Sequence, residues 1–156
     1  MVKNLDENEN PPLPDHLGWR LWSLSRLWQQ DFVAEMQRAG HSWFTDARAT
    51  AMGHIPRSGL RQTDLIDRMG TSKQAVQQLV DGLENAGVVV READPRDRRG
   101  RIIRYTDKGK AALADADRIK SLIEGRYRAA MGSGHYARLV ELLEELRVQI
   151  SGETSR

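Results

Sequence analysis

The 156-residue chain contains no cysteine, so disulfides, thiolate zinc sites, thiol redox switches and a cysteine nucleophile are excluded. It also has no long apolar run. None approaches the ~18 residues that cross a bilayer, and no membrane partner is expected. The four histidines, His16, His41, His54 and His135, include no pair at i, i+3 or i, i+4. A metal site would have to be assembled across the fold, and none is expected. There is no GxSxG, no HExxH and no phosphate-cradling glycine loop, which argues against an enzyme and against a bound cofactor. Proline is sparse, and three of the five prolines, Pro11, Pro12 and Pro14, fall in the acidic, polar first 14 residues. Residues 1–14 are expected to form a disordered or loosely attached arm. They show neither the basic start nor the apolar block of a signal peptide, so a cytoplasmic location is expected.

What is present is a globular composition, with 39% hydrophobic and 29% charged residues, enough for one domain with a real core. Leu17, Leu21, Leu24, Trp28, Phe32 and Met36 recur at helical spacing from Asp15 or His16 to a stop at Gly40. A thinly packed helix with Ala47, Ala49, Ala51 and Gly53 runs from Thr45 to Ile55, before Pro56. Two helices follow closely, Gln62–Met69 and Lys73–Ala86, separated by Gly70 and an N-cap at Thr71-Ser72. Val88 to Val90 reads as a strand, Glu92 to Gly100 as a loop, and Arg101 to Tyr105 as the returning strand of a hairpin. Thr106 caps a helix through Tyr127, and Leu139, Leu142, Leu143, Leu146 and Ile150 mark a last one.

Two surfaces in this pattern carry chemistry. The helix after Ser72 turns Val76, Leu79, Val80 and Leu83 inward and Lys73, Gln74, Gln77, Gln78 and Asp81 outward. A solvated helix face usually mixes acids and bases, and by itself this one is equally consistent with an ordinary amphipathic helix. Its first turns hold one lysine and three glutamines and no acid before Asp81, however. Glutamine pairs with the N6/N7 edge of adenine, and lysine reaches guanine or a phosphate. The second surface is the hairpin. Arg96 to Arg104 carries five arginines against Asp97, a local charge of +4 where the whole chain carries +2. Such a cluster repels itself unless a polyanion is near, and arginine suits the negative potential of a narrow minor groove. Asp97 is expected to brace Arg99.

From Gly70 to Gly109 the chain resembles the MarR family of winged helix-turn-helix regulators. The resemblance is carried by Ser72-Lys73, Leu79-Val80-Asp81, Leu83-Glu84-Asn85-Ala86-Gly87, Asp94-Pro95-Arg96-Asp97-Arg98-Arg99 and Tyr105-Thr106-Asp107-Lys108-Gly109. It departs from the family at Tyr105, where leucine is usual, and in the small residues of the Thr45–Ile55 helix. The resemblance implies a mainly α fold with a small β-hairpin: a DNA-binding lobe over residues 43–106 and dimerisation helices over 15–42 and 107–152. It implies a homodimer that binds double-stranded DNA at an inverted repeat, usually as a repressor. Its recognition-helix contacts would fall on Ser72, Lys73, Gln74, Gln77 and Gln78, and its wing pair on Asp97 and Arg99; Arg98 and Arg101 join them as DNA-binding candidates from the arginine cluster itself.

The residues themselves leave the dimer open. The stripe of Leu17, Leu21, Leu24 and Trp28, and that of Leu139, Leu142, Leu143 and Leu146, exceed what a small lobe can cover. Either a second chain or packing onto the lobe would bury them. The family also implies a small aromatic or phenolic effector between the lobe and the dimer helices. Trp19, Trp22 and Trp43 are the aromatic candidates there, and Arg48 the anion holder. The competing function is a winged-helix module for protein–protein contact. A polar glutamine ridge argues against it, because a protein-binding face would show exposed aromatics or leucines.

Overall fold

The computed structural model describes residues 16–152; the arm at 1–14 lies outside the described residues, as do the side chains of Arg98 and Arg99. The chain order is α1 (Leu17–Arg38), α2 (Asp46–His54), β1 (Leu60–Arg61), α3 (Gln62–Met69), α4 (Lys73–Asn85), β2 (Val89–Asp94), β3 (Asp97–Tyr105), α5 (Asp107–Met131) and α6 (Ser133–Ser151). The fold is mostly helical with a small antiparallel sheet, a winged helix-turn-helix lobe between long terminal helices.

Side-chain caps fix several helix starts. Ser72 Oγ accepts from Ala75 N at 3.2 Å to begin α4. Thr106 Oγ1 accepts from Gly109 N at 3.1 Å and donates to Gly87 O at 2.7 Å, tying the start of α5 to the end of α4. Each such cap satisfies a helix-end N–H that would otherwise lack a partner. Gly70, at φ 59°, ends α3 in the left-handed region and makes the tight turn between α3 and α4. At Gly109 a Cβ would run into Val88 O, so only glycine lets α5 lie this close to the sheet.

The hairpin differs from its sequence reading. No long loop spans Glu92 to Gly100; the ladder continues through Glu92↔Ile102 and Ala93↔Arg101 to Asp94↔Asp97, with a register shift between Ala93 and Asp94. Only Pro95 and Arg96 turn the corner, and most of the arginines stand on β3 itself. The outer half of this two-stranded ribbon is polar, so no alternation marks it as a strand in the sequence. The sheet also has a third strand. Leu60 and Arg61 pair with Ile103 and Ile102, giving the order β1-β3-β2.

One core joins the lobe to the long helices. Leu65 of α3, Val76, Val80 and Leu83 of α4, Val88 just before the sheet, and Val89 and Ile103 within it are buried with Phe32 and Met36 of α1 and Ile119 and Ile123 of α5. Tyr105 belongs to this core. Its hydroxyl donates to Met52 O at 2.9 Å at the end of α2, and burial pushes its phenol up to about 12. The tyrosine thus adds a hydrogen bond between wing and α2.

The first half of α1 and all of α6 take no part in the core. Leu17, Leu21, Trp22, Leu24 and Leu27 are exposed, as are Leu139, Val140, Leu142, Leu143 and Ile150. No residue of α6 is buried. Of the two stripes Trp28 packs against the core, while Leu17, Leu21, Leu24, Leu139, Leu142 and Leu143 stay exposed on this chain. Among the described residues, no helix is long and apolar enough to cross a membrane.

Candidate nucleic-acid interface

The outward face of α4 is built as its pattern demands. Val76, Val80 and Leu83 are buried, which fixes the helix rotation and leaves Ser72, Lys73, Gln74, Gln77 and Gln78 exposed. Lys73, Gln74, Gln77, Gln78 and Asp81 line one shallow depression. A second cleft of about 220 Å³ lies beside it, lined by Arg61, Gln62, Thr63, Lys73, Asp94, Asp97, Gly100 and Arg101 among others. Lys73 borders both. The first turn of α4, the start of α3 and the tip end of the wing therefore open on one side of the lobe.

The wing tip is held from below by Asp94, the only buried charged residue among those described. Its Oδ1 accepts from Arg96 N at 2.9 Å, closing the turn, as aspartate commonly does two residues ahead in such a corner. Its Oδ2 lies 2.6 Å from Arg61 Nε on β1. A Cβ at Gly100 would come within 3.0 Å of Asp94 Cβ, so the glycine gives the carboxylate its room. Arg101 is exposed and donates to Gly100 O at 3.0 Å. Arg104 is different in kind from the other arginines of the cluster. It donates to Glu92 at 2.8 Å and to Ser58 O at 2.6 Å, serving the sheet rather than the tip. The expected brace between Asp97 and Arg99 involves a side chain outside the described residues.

Sequence reasoning missed Arg61 and Arg91. Arg61 stands just before α3 and reaches the wing through Asp94. Arg91, on β2, meets four other residues through its side chain. It donates to Glu84, to Asp81 Oδ1 at 2.6 Å, to Gln62 Oε1 at 3.1 Å and to Gln77 O at 3.4 Å. Neither role leaves a local mark, because every partner but Glu84 and Asp81 comes from another part of the chain.

The four residues expected to hold an effector do not form one site. Trp19 and Trp22 stack on each other at 4.8 Å near the exposed start of α1. Trp43 lies beyond the far end of that helix, which has a length of roughly 33 Å at ~1.5 Å per residue. Trp43 packs edge-on to His41 and Phe44. Arg48 donates to Trp43 O at 2.6 Å and lies against Gly82 of α4. A groove of about 290 Å³ lies instead between α1, α2 and α5, lined by Trp28, Phe32, Phe44, Met52, Leu113 and Lys120 among others. The Lys120 ammonium sits 5.7 Å from the Phe32 ring. Ala49 and Gly53 of α2 are small residues on its wall. His41 pairs with Asp115 at 3.0 Å; that hydrogen bond, then one from Arg118, holds the Asp115 carboxyl below its usual range. Among the described residues no group of three or more metal-ligand side chains is gathered.

A model of the MarR family matches residues 44–100, the span of this interface. The matched span is just over a third of the chain and runs from α2 to the wing tip. The chain is 26% identical over 90 residues to the transcriptional regulator HosA of Escherichia coli O111:H-, covering 58% of this chain and 67% of that one. It is 29% identical over 93 residues to a putative transcriptional regulatory protein for the hcr operon of Thauera aromatica, covering 60% of this chain and 56% of that one. The chain thus spans little more than half of the Thauera relative.

Solved structures share the fold. Wild-type MarR from E. coli superposes with a TM-score of 0.72 at 17% identity, covering 84% of this chain and 96% of that one. CouR from Rhodococcus jostii RHA1, bound to p-coumaroyl-CoA, gives 0.67 at 23%, covering 91% and 96%. The repressor CouR bound to a 23-mer DNA duplex gives 0.63 at 24%, covering 85% and 92%. The likeness to these structures is one of fold, a winged helix-turn-helix between long helices, and the curated relatives are named as transcriptional regulators.

Proposed function

We propose that this chain is a MarR-family regulator, acting as a homodimeric repressor that reads an inverted-repeat operator. Ser72, Lys73, Gln74, Gln77 and Gln78 of each protomer enter a major groove, and Arg98, Arg99 and Arg101, with Asp97 orienting them, reach the flanking minor groove. The observation that carries this reading is the position of Lys73, which borders both the glutamine ridge and the wing cleft. One duplex can then meet both surfaces at once. The positive end of α4 and the free N–H groups of its first turn favour phosphate at the same place.

The dimer is supported by the apolar residues left exposed on the first half of α1 and on α6. Residues 15–42 and 107–152 serve as the dimerisation helices, and 43–106 as the DNA-binding lobe. Two-fold symmetry sets half-sites one helical turn apart, about 10 base pairs, and repression follows from occupancy of the operator.

An effector fits the α1–α2–α5 groove better than it fits the tryptophans singled out in the sequence. The groove walls are apolar and aromatic, with Lys120 as a cation at the edge, so a small aromatic acid is the matching chemistry. The site touches both the long helices and α2, so a ligand there biases the spacing of the two α4 helices.

Selection from a random duplex pool with the purified protein tests the reading. The expected product is an inverted repeat with half-sites about 10 base pairs apart. Recovery of no sequence, together with salt-independent retention on heparin, would instead favour a protein-binding module.

A further inference from the structure

We propose that Arg91 is a positioning residue for DNA reading: it locks the rotation of α4 against the wing and cancels the one acid on the glutamine ridge. The inference rests on the proposed reading of α4 as the helix in the major groove. Arg91 projects from β2, is largely buried at 16% side-chain exposure, and meets α4 on three points: Gln77 O, Asp81 and Glu84. Its Nε reaches Gln62 at the first residue of α3. Its own backbone N–H donates to the other Glu84 oxygen at 3.0 Å. One planar guanidinium thus joins wing, recognition helix and the preceding helix, a geometry that the single ammonium of lysine cannot reproduce.

Two consequences follow. The first is geometric. The apolar contacts of Val76, Val80 and Leu83 hold α4 in place but are tolerant of small rotations. A rotation of ~20° moves a side-chain tip on a helix of ~5–6 Å radius by about 2 Å, enough to break a two-pronged contact between Gln77 and a base. The polar clamp from Arg91 resists that rotation at the turn that presents Gln77. The second is electrostatic. Asp81 lines the same depression as Lys73, Gln74, Gln77 and Gln78, where an unpaired carboxylate would repel phosphate. At 2.6 Å from Arg91 its charge is neutralised.

The test compares binding of wild type, Arg91→Ala, Arg91→Lys and the double variant Arg91→Ala/Asp81→Asn. The probes are a selected duplex and a scrambled duplex of equal length, titrated across a range of salt. Arg91→Ala is expected to lower the ratio of selected to scrambled affinity about tenfold, the worth of one base contact, with an unchanged salt slope. Arg91→Lys recovers little of that ratio. Adding Asp81→Asn restores affinity for the scrambled duplex but not the ratio. An unchanged ratio accompanied only by a lower melting temperature would make Arg91 structural and overturn the proposal. So would equal weakening on both duplexes with a salt slope reduced by about one, because that marks a direct phosphate contact. Should Arg91→Ala not fold, Glu84→Gln breaks one arm of the clamp and keeps a hydrogen-bond acceptor; a ratio equal to wild type there overturns the proposal equally. Failure of the wild type to prefer any duplex would remove the reading of α4 itself, a result visible before any variant is made.

Discussion

Asp94→Ala separates two roles that the wing aspartate can play. As a structural residue, the carboxylate closes the tip turn through Arg96 N at 2.9 Å and anchors it to β1 through Arg61 at 2.6 Å. As a charge, it merely dilutes the positive potential of the wing. The first role costs stability when the side chain is removed. A hydrogen bond to a buried charged group is worth roughly 1.5–3 kcal/mol. The ion pair adds at most about 1 kcal/mol, because Arg61 is 43% exposed and solvent screens it. A total near 2 kcal/mol lowers the melting temperature by roughly 4–8 °C in a chain of this size. The two roles predict opposite effects on binding. With the turn lost, Arg96 and its neighbours are misplaced, and affinity for the selected duplex is expected to fall about tenfold even though net positive charge has risen. If only charge mattered, freeing Arg61 would tighten binding to every duplex. Thermal unfolding and fluorescence anisotropy on selected and scrambled duplexes measure both. An unchanged melting temperature with tighter binding to both probes would refute the structural role.

Other expectations can be checked with the same reagents. Gln77→Ala is predicted to relax the preference at one base pair per half-site by ~1–3 kcal/mol, read as a flattened column in a repeated selection; an unchanged preference removes Gln77 from the reading set. Arg99→Ala should weaken selected and random duplexes together, as measured by anisotropy, and the wing reading fails if neither changes. Tyr105→Phe removes a hydrogen bond, but Met52 O keeps a partner in Ile55 N, so about 1 kcal/mol is expected from denaturant titration. The phenol, raised to about 12 in the folded chain, contributes stability that is complete below pH ~10 and lost as pH rises through the folded value; the phenylalanine variant should show no such alkaline step. Leu142→Glu, on the exposed face of α6, should give monomers at micromolar concentration by sedimentation and with them a loss of operator affinity.

The parts of the fold that were legible in the sequence are those whose cause is local. The Gly70 turn, the Ser72 and Thr106 caps and the apolar spacing of α4 each place themselves within a few residues. The motif from Asp94 to Gly100 identified the wing but gave its shape wrongly, because the turn depends on an aspartate whose second partner, Arg61, is more than 30 residues upstream. Strand β1 was invisible for a similar reason: two residues cannot show alternation, and only pairing with Ile102 and Ile103 makes them a strand. The Arg91 clamp and the α1–α2–α5 groove arise from contacts across elements. The tryptophans drew attention as aromatics, yet Trp19 and Trp22 stack on each other and Trp43 packs beside His41 and Phe44. The lining of the groove falls to Trp28 and Phe32, which the helical pattern placed along α1, and to Phe44, which the sequence pattern did not single out.

Hydroxyl-radical footprinting on the selected duplex tests the central claim most directly. Simultaneous contact by ridge and wing predicts protection on one face of the helix, in two segments about 10 base pairs apart, each flanked by a protected minor groove that reopens when Arg99 is replaced. Protection confined to a single short segment, or flanks indifferent to the arginine, would show that the two surfaces do not grip one duplex together.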